Sequence, residues 1–293
     1  MELGRVGVWT SKLGQLPETE ARRAVAEIEA LGFGVIWYPE IMAKEAMSQA
    51  ALLLASGKRI TVATGIANIW ARDPAAMING ARTLVEAFPD RFLLGIGVSH
   101  APTVARRGHQ YRSPLATMGA YLDAMDAVPY MGPRPAAEPP VVLAALGPRM
   151  LQLAAGRTRG AHPYFVPVEH TVFARRELGE EALLAPEQAV VLSTDSDEAR
   201  QIARTHTRHY LALDNYRNNL LRLGWSEADL ADAGSDALID AIVAWGDVEA
   251  IQSRVAAHLA AGANHVGIQV LDKGLDHFPM DDLRRMAPAL LEL

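Results

Sequence analysis

The 293-residue sequence contains no cysteine, which excludes a disulfide scaffold, a thiolate metal site and a cysteine nucleophile. It also lacks any excess of positive charge: 28 Lys and Arg stand against 34 Asp and Glu, a formal net charge of −6. Nonspecific nucleic-acid binding rests on clustered cations, so no nucleic-acid partner is expected. No apolar run approaches the ~18 residues of a membrane span, and no membrane association is expected. Residues 1–5 show neither the basic nor the apolar region of a signal peptide, so the expected compartment is the cytoplasm. What is abundant is apolar residues, half of the chain, enough to build a core and to exclude disorder.

Short apolar runs alternate with helical patterns along the whole length. The expected strands are 6–9, 35–38, 60–66, 92–97, 141–144, 160–166, 189–193 and 265–270. Most are apolar throughout, as suits parallel strands covered on both faces. Asp73-Pro74 and Ser113-Pro114 read as N-cap and first helical residue, and Asp247 opens another helix that ends before Gly262. Eight strands, each followed by a helix, is the arithmetic of a (β/α)8 TIM barrel; an open doubly wound sheet shows the same count. Two segments exceed the minimal repeat: a polar, basic loop at 100–112, and extra helical material at 214–246, a helical insertion before the last β/α unit. Neither has the composition of a linker, so residues 1–293 read as a single domain.

In a barrel the chemistry belongs at the C-terminal ends of the strands. Glu40 ends the second as an acid, a base or a hydrogen-bond acceptor, or as a solvated loop carboxylate. The third ends in Thr64-Gly65-Ile66-Ala67-Asn68, where a strand glycine marks a bulge or a ligand's close approach. The fourth ends in Gly95-Ile96-Gly97-Val98-Ser99-His100; the third glycine of a dinucleotide loop is replaced by His100, so that reading fails. His100 titrates near neutrality and suits general acid–base work, or serves as a structural histidine. After the fifth strand, Leu146-Gly147-Pro148-Arg149 opens a helix whose free N–H groups and arginine could hold an anion. His162 ends the sixth strand as a ligand contact. No Gly-x-Ser-x-Gly elbow, Walker loop or His-Glu-x-x-His occurs, and His206 and His209 alone make a weak metal motif, so no metal is expected.

Five stretches in order resemble the luciferase-like superfamily, and within it the branch that uses the deazaflavin coenzyme F420. They are 31–40 (Leu-Gly-Phe-Gly-Val-Ile-Trp-Tyr-Pro-Glu), 64–69 with Arg72-Asp73-Pro74, 91–100, 145–150 and 160–165. The resemblance spans essentially the whole chain and implies a (β/α)8 barrel carrying a hydride-transferring oxidoreductase of a small organic substrate, commonly a homodimer. It implies a non-proline cis peptide between Gly65 and Ile66, in a bulge with Asn68 beneath the ring. It implies a ring lined by Gly97, Val98, Ser99 and His100, and a tail phosphate held at Leu146, Gly147, Pro148 and Arg149. It places Glu40 beside the ring. Sugar-phosphate dehydrogenases of this branch carry a catalytic His after the strand-two carboxylate, where this chain has Ile41, and a Glu in the strand-four loop, where it has Ser99 and His100. His100 therefore becomes the candidate for proton delivery, with Glu40. An FMN-dependent, oxygen-using monooxygenase is the rival reading, and a catalytically silent flavin-binding barrel another.

Overall fold

The structure, a computed structural model, describes residues 1–272 and 278–293. Its strands are β1 (Val6–Trp9), β2 (Val35–Tyr38), β3 (Thr61–Thr64), β4 (Ala67–Asn68), β5 (Phe92–Gly97), β6 (Val141–Leu143), β7 (Gly160–Ala161), β8 (Leu183–Leu184), β9 (Glu187–Val191), β10 (Val243–Trp245) and β11 (Val266–Val270). The helices run from α1 (Glu18–Ala30) through α2 (Ala46–Ser56), α3 (Pro74–Ala87), α4 (Ala101–Arg106), α5 (Pro114–Asp126), α6 (Pro148–Arg157) and α7 (Val168–Leu178). They continue with α8 (Ser196–Leu211), α9 (Asp214–Arg222), α10 (Glu227–Leu230), α11 (Asp236–Ile242), α12 (Val248–Ala260) and α13 (Met280–Leu291).

Every strand pairing is parallel. From β1 the sheet runs one way through β2, β3, β5, β6 and β7 to β8, and the other way through β11 to β9 and β10. Only Ala185 and Pro186 separate β8, at one end of the sheet, from β9, next to the other end, so the sheet curls in a TIM-barrel-like manner. Along β2 the side chains alternate: Val35 and Trp37 pack with Trp9, Ala63, Leu93, Val142 and Ala185, while Ile36 and Tyr38 join the cluster that contains helix residues such as Ile28 and Leu53. That period of two separates the inner face from the helix-covered outer face. The helix starts expected at Asp73 and Asp247 are present, each carboxylate capping a backbone N–H three residues on. Ser113 precedes α5 without a side-chain cap bond.

The observed elements depart from the expected ones in several places. The run 60–66 ends at Thr64 and resumes at Ala67. Residues 160–166 pair only at Gly160 and Ala161, because Pro163 lacks an N–H and Phe165 takes φ +57°. Strand 189–193 begins earlier, at Glu187. Strands β8 and β10 were not anticipated: the first is a dipeptide before a proline, the second three residues directly after α11, inside the stretch 214–246 that otherwise holds α9 to α11.

Candidate active site

The C-terminal ends of these strands open on a cavity of 670 Å³. Of the residues singled out in the sequence, Glu40, Gly65, Ile66, Asn68, Gly97, Val98, Ser99, His100, Leu146, Gly147 and His162 line it.

One wall is a bulge. Between Ala63 and Ala67 lie three residues, but only Leu94 and Gly95 lie between their partners Leu93 and Ile96, so β3–β4 carries one extra residue against β5. The Thr64 hydroxyl donates to the Gly95 carbonyl at 2.7 Å and accepts from the Gly95 N–H at 2.8 Å, standing in for the interrupted ladder. A Cβ on Gly95 would lie 2.0 Å from the Thr64 carbonyl oxygen, so only glycine allows this approach. The Gly65–Ile66 peptide within the bulge is cis, as the resemblance implied.

Glu40 sits behind the bulge and is almost fully buried. One carboxylate oxygen accepts from the Asn68 N–H at 2.8 Å and from Arg72 Nη1 at 3.0 Å; the other pairs with Arg72 Nη2 and accepts from the Ala46 N–H at 3.4 Å. A carboxylate so occupied, and held by a two-pronged guanidinium contact, has no lone pair free for proton transfer. Through these contacts Glu40 ties Asn68, and with it the bulge, to Arg72.

Beyond the bulge the wall is backbone. A Cβ on Gly97 would come within 2.8 Å of the Ile66 side chain and 3.1 Å of Ala144. Ser99 follows with φ +58°, an uncommon conformation for a residue with a side chain. The wall ends at Gly147, the N-cap of α6, which no side chain caps. Arg149 and Pro148 are not among the residues that line the cavity; the guanidinium beside that point is that of Arg222 of α9. A Cβ on Gly147 would lie 3.7 Å from Arg222 Nη2. Asn215, Asn218 and Arg222 all line the cavity, and their i, i+3, i+7 spacing is one helix face. That spacing was the signal available in the sequence, hidden behind the apolar face of the same helix.

His100 projects from the end of β5 to α9. Its Nδ1 lies 3.1 Å from Asn215 Oδ1, and its ring is 5.5 Å from that of Tyr216. An amide oxygen only accepts, so Nδ1 carries the proton and Nε2 keeps a lone pair. Burial holds the pKa below the usual 6.5, against the raising effect of the Asn215 bond, and nearby His209 lowers it further. At neutral pH His100 is an uncharged base.

The cavity floor holds His162 and Trp9. His162 stacks on Trp37 with ring centroids 4.3 Å apart and sends Nδ1 to the Ala185 carbonyl at 2.6 Å. Its pKa is pushed down to about 4 by burial. Among the described residues there is no His, Cys, Asp and Glu cluster able to hold a metal ion, and no helix long and apolar enough to cross a membrane.

Comparison with known proteins agrees with this architecture. A model of luciferase-like monooxygenases matches residues 3–265. The chain belongs to that family. A Mycobacterium tuberculosis protein named as a coenzyme F420-dependent oxidoreductase, an assignment by inference, is 30% identical over 131 residues, 44% of this chain. The match spans only 36% of that relative's length. Among solved structures, an F420-dependent secondary alcohol dehydrogenase bound to an F420–acetone adduct superposes with a TM-score of 0.76 at 16% identity, covering 99% of both chains. The F420-dependent tetrahydromethanopterin reductase of Methanopyrus kandleri gives 0.70 at 16%, covering 99% and 98%. The oxygenating constituent of the Pseudomonas putida 3,6-diketocamphane monooxygenase, in complex with FMN, gives 0.68 at 14%, covering 98% and 96%. At these identities the structural likeness establishes the fold.

Proposed function

We infer that the cavity binds coenzyme F420 and that the protein is an F420-dependent oxidoreductase of a small organic substrate. The observation that carries this reading is the wall from Gly65 through Gly97 to Gly147. It offers backbone where side chains would intrude, and it ends at the uncapped start of α6 opposite Arg222. A flat ring with an anionic tail fits such a wall, the tail at the helix start and guanidinium. The exposed Arg107 at the cavity edge, within the basic loop 100–112, favours the longer polyanionic tail of F420 over the short one of FMN. Residues 214–246 are on this reading an insertion in the barrel that supplies the tail-facing arginine.

When bound, the deazaflavin accepts or gives a hydride, chemistry that belongs to the cofactor. The chain supplies position and protons. Glu40 and Arg72 hold the bulge; Ser99 and His100 stand at the strand end. His100, neutral and oriented by Asn215, takes the proton that an alcohol loses as its carbon gives up hydride. A second reading, FMN with oxygen, draws on the FMN-bound neighbour. Parallel fluorescence titration separates them: F420 should bind at micromolar concentration or tighter and FMN markedly more weakly. Protein that purifies with stoichiometric FMN and ignores F420 would overturn the reading.

A further inference from the structure

The inner face carries two tryptophan–histidine pairs, and they differ in one respect. In the first, Trp37 Nε1 donates to His265 Nε2 at 3.0 Å, and His265 Nδ1 donates to the Gly4 carbonyl at 2.8 Å. Each polar atom has a partner. In the second, His162 Nδ1 is likewise spent on a carbonyl, that of Ala185, but Trp9 Nε1 and His162 Nε2 are buried without any protein partner. Trp9 is 4% exposed and His162 1%. Both line the cavity. Both also converge on one point, since a Cβ on Gly65 would lie 2.8 Å from Trp9 Nε1 and 2.9 Å from His162 Nε2.

Buried polar atoms are nearly always paired, and each orphan costs its full desolvation. The barrel pairs Trp37 with His265, so tryptophan and histidine can satisfy one another here. Trp9 and His162 instead leave these two nitrogens unpaired, in side chains that line the cavity. The indole N–H only donates. With Nδ1–H given to a carbonyl, neutral His162 only accepts at Nε2. A group that meets both atoms therefore accepts from Trp9 and donates to His162: a hydroxyl, a water, or the carbonyl and N–H along the edge of a flat ring.

We propose that Trp9 and His162 form a recognition pair for the carbonyl–NH edge of the cofactor's pyrimidinedione ring, Trp9 donating to a ring carbonyl and His162 accepting from the ring N–H. This rests on the cofactor reading above and extends it to a stated edge of the ring, set in the floor beneath Gly65. Stacking on Trp37 fixes the imidazole plane, and both nitrogens lie against the Gly65 backbone, where a Cβ would come within 2.8 and 2.9 Å of them.

The test uses F420 and its synthetic derivative methylated at the ring nitrogen between the two carbonyls. The parent protein should bind the methylated compound at least about tenfold more weakly, because it lacks the donor and carries bulk against Nε2, a loss of about 1.4 kcal/mol. In His162→Ala, which removes the acceptor and opens room, that preference should fall to near one. Trp9→Phe should weaken binding of both compounds about equally. Melting temperatures report whether the variants fold, and the comparison of ligands on the parent needs no variant. Equal binding of the two compounds by the parent would show that the pair faces water or another ligand group and would overturn the assignment. Failure of the parent to bind F420 or FMN at all would overturn the cofactor reading, and the pair with it.

Discussion

Acid should unfold this protein through its histidines, by an amount that the structure allows to be worked out. His162, His170 and His265 are pushed down to about 4 by burial, and His206 and His258 to about 3. All five are neutral when folded. In the unfolded chain each returns to the usual 6.5, so the stability they hold is fully present above pH 6.5 and is lost as pH falls toward 4. Between pH 7.5 and 5.5 each costs somewhat over about 1 kcal/mol, roughly 7 for the five. Glu187 acts in the opposite sense. It is buried with one oxygen unpartnered, and burial raises it to about 8. Its stability is present below the unfolded value of 4.5 and is lost as pH rises toward 8, so over the same interval acidification returns roughly 2 to 3 kcal/mol. The parent should therefore lose about 4 kcal/mol between pH 7.5 and 5.5, a large share of a normal domain's ~5–15 kcal/mol. Glu187→Gln, which no longer titrates, should lose about 7. Urea unfolding at both pH values, without added cofactor, measures each figure. Stability that stays level between pH 7.5 and 5.5, or an identical fall in parent and variant, would refute the reasoning.

Two further outcomes are expected at the site. Arg222→Ala should weaken F420 binding by about 5- to 30-fold at low salt, the scale of an exposed charge-assisted contact, with the difference shrinking as salt is added; Arg149→Ala should change it less than about threefold. Fluorescence titration of both variants checks this, and a larger effect at Arg149 would return the tail to the place the local sequence indicated. Turnover of alcohols should be level above pH 7 and fall at lower pH, through a pKa below 6.5, as His100 takes up a proton; His100→Ala should lose that limb and about 10²–10⁴-fold in rate, with cofactor affinity little changed.

What the sequence disclosed about this site divides along a physical line. Features written by backbone and nearest neighbours were legible. The glycine at 65 marked a bulge or a close approach because a missing side chain has the same meaning wherever the fold places it. The βα rhythm was legible for the same reason, since burial on both faces leaves continuous apolar runs. Features that depend on which distant group arrives were not. Glu40 looked available because its partner Arg72 lies 32 residues on. Arg149 looked like the anion ligand because it sits in the first turn of α6, whereas the guanidinium that reaches Gly147 comes from α9, on the far side of α7 and α8 in sequence. Trp9 carried no signal at all, since an inward tryptophan on a barrel strand is ordinary filling. Its meaning comes from a comparison only the folded chain permits, between an indole whose N–H has found a histidine and its register partner on the adjacent strand, whose N–H has not. A buried polar group without a protein partner still has a known sign, and the signs here are a donor at Trp9 Nε1 beside an acceptor at His162 Nε2.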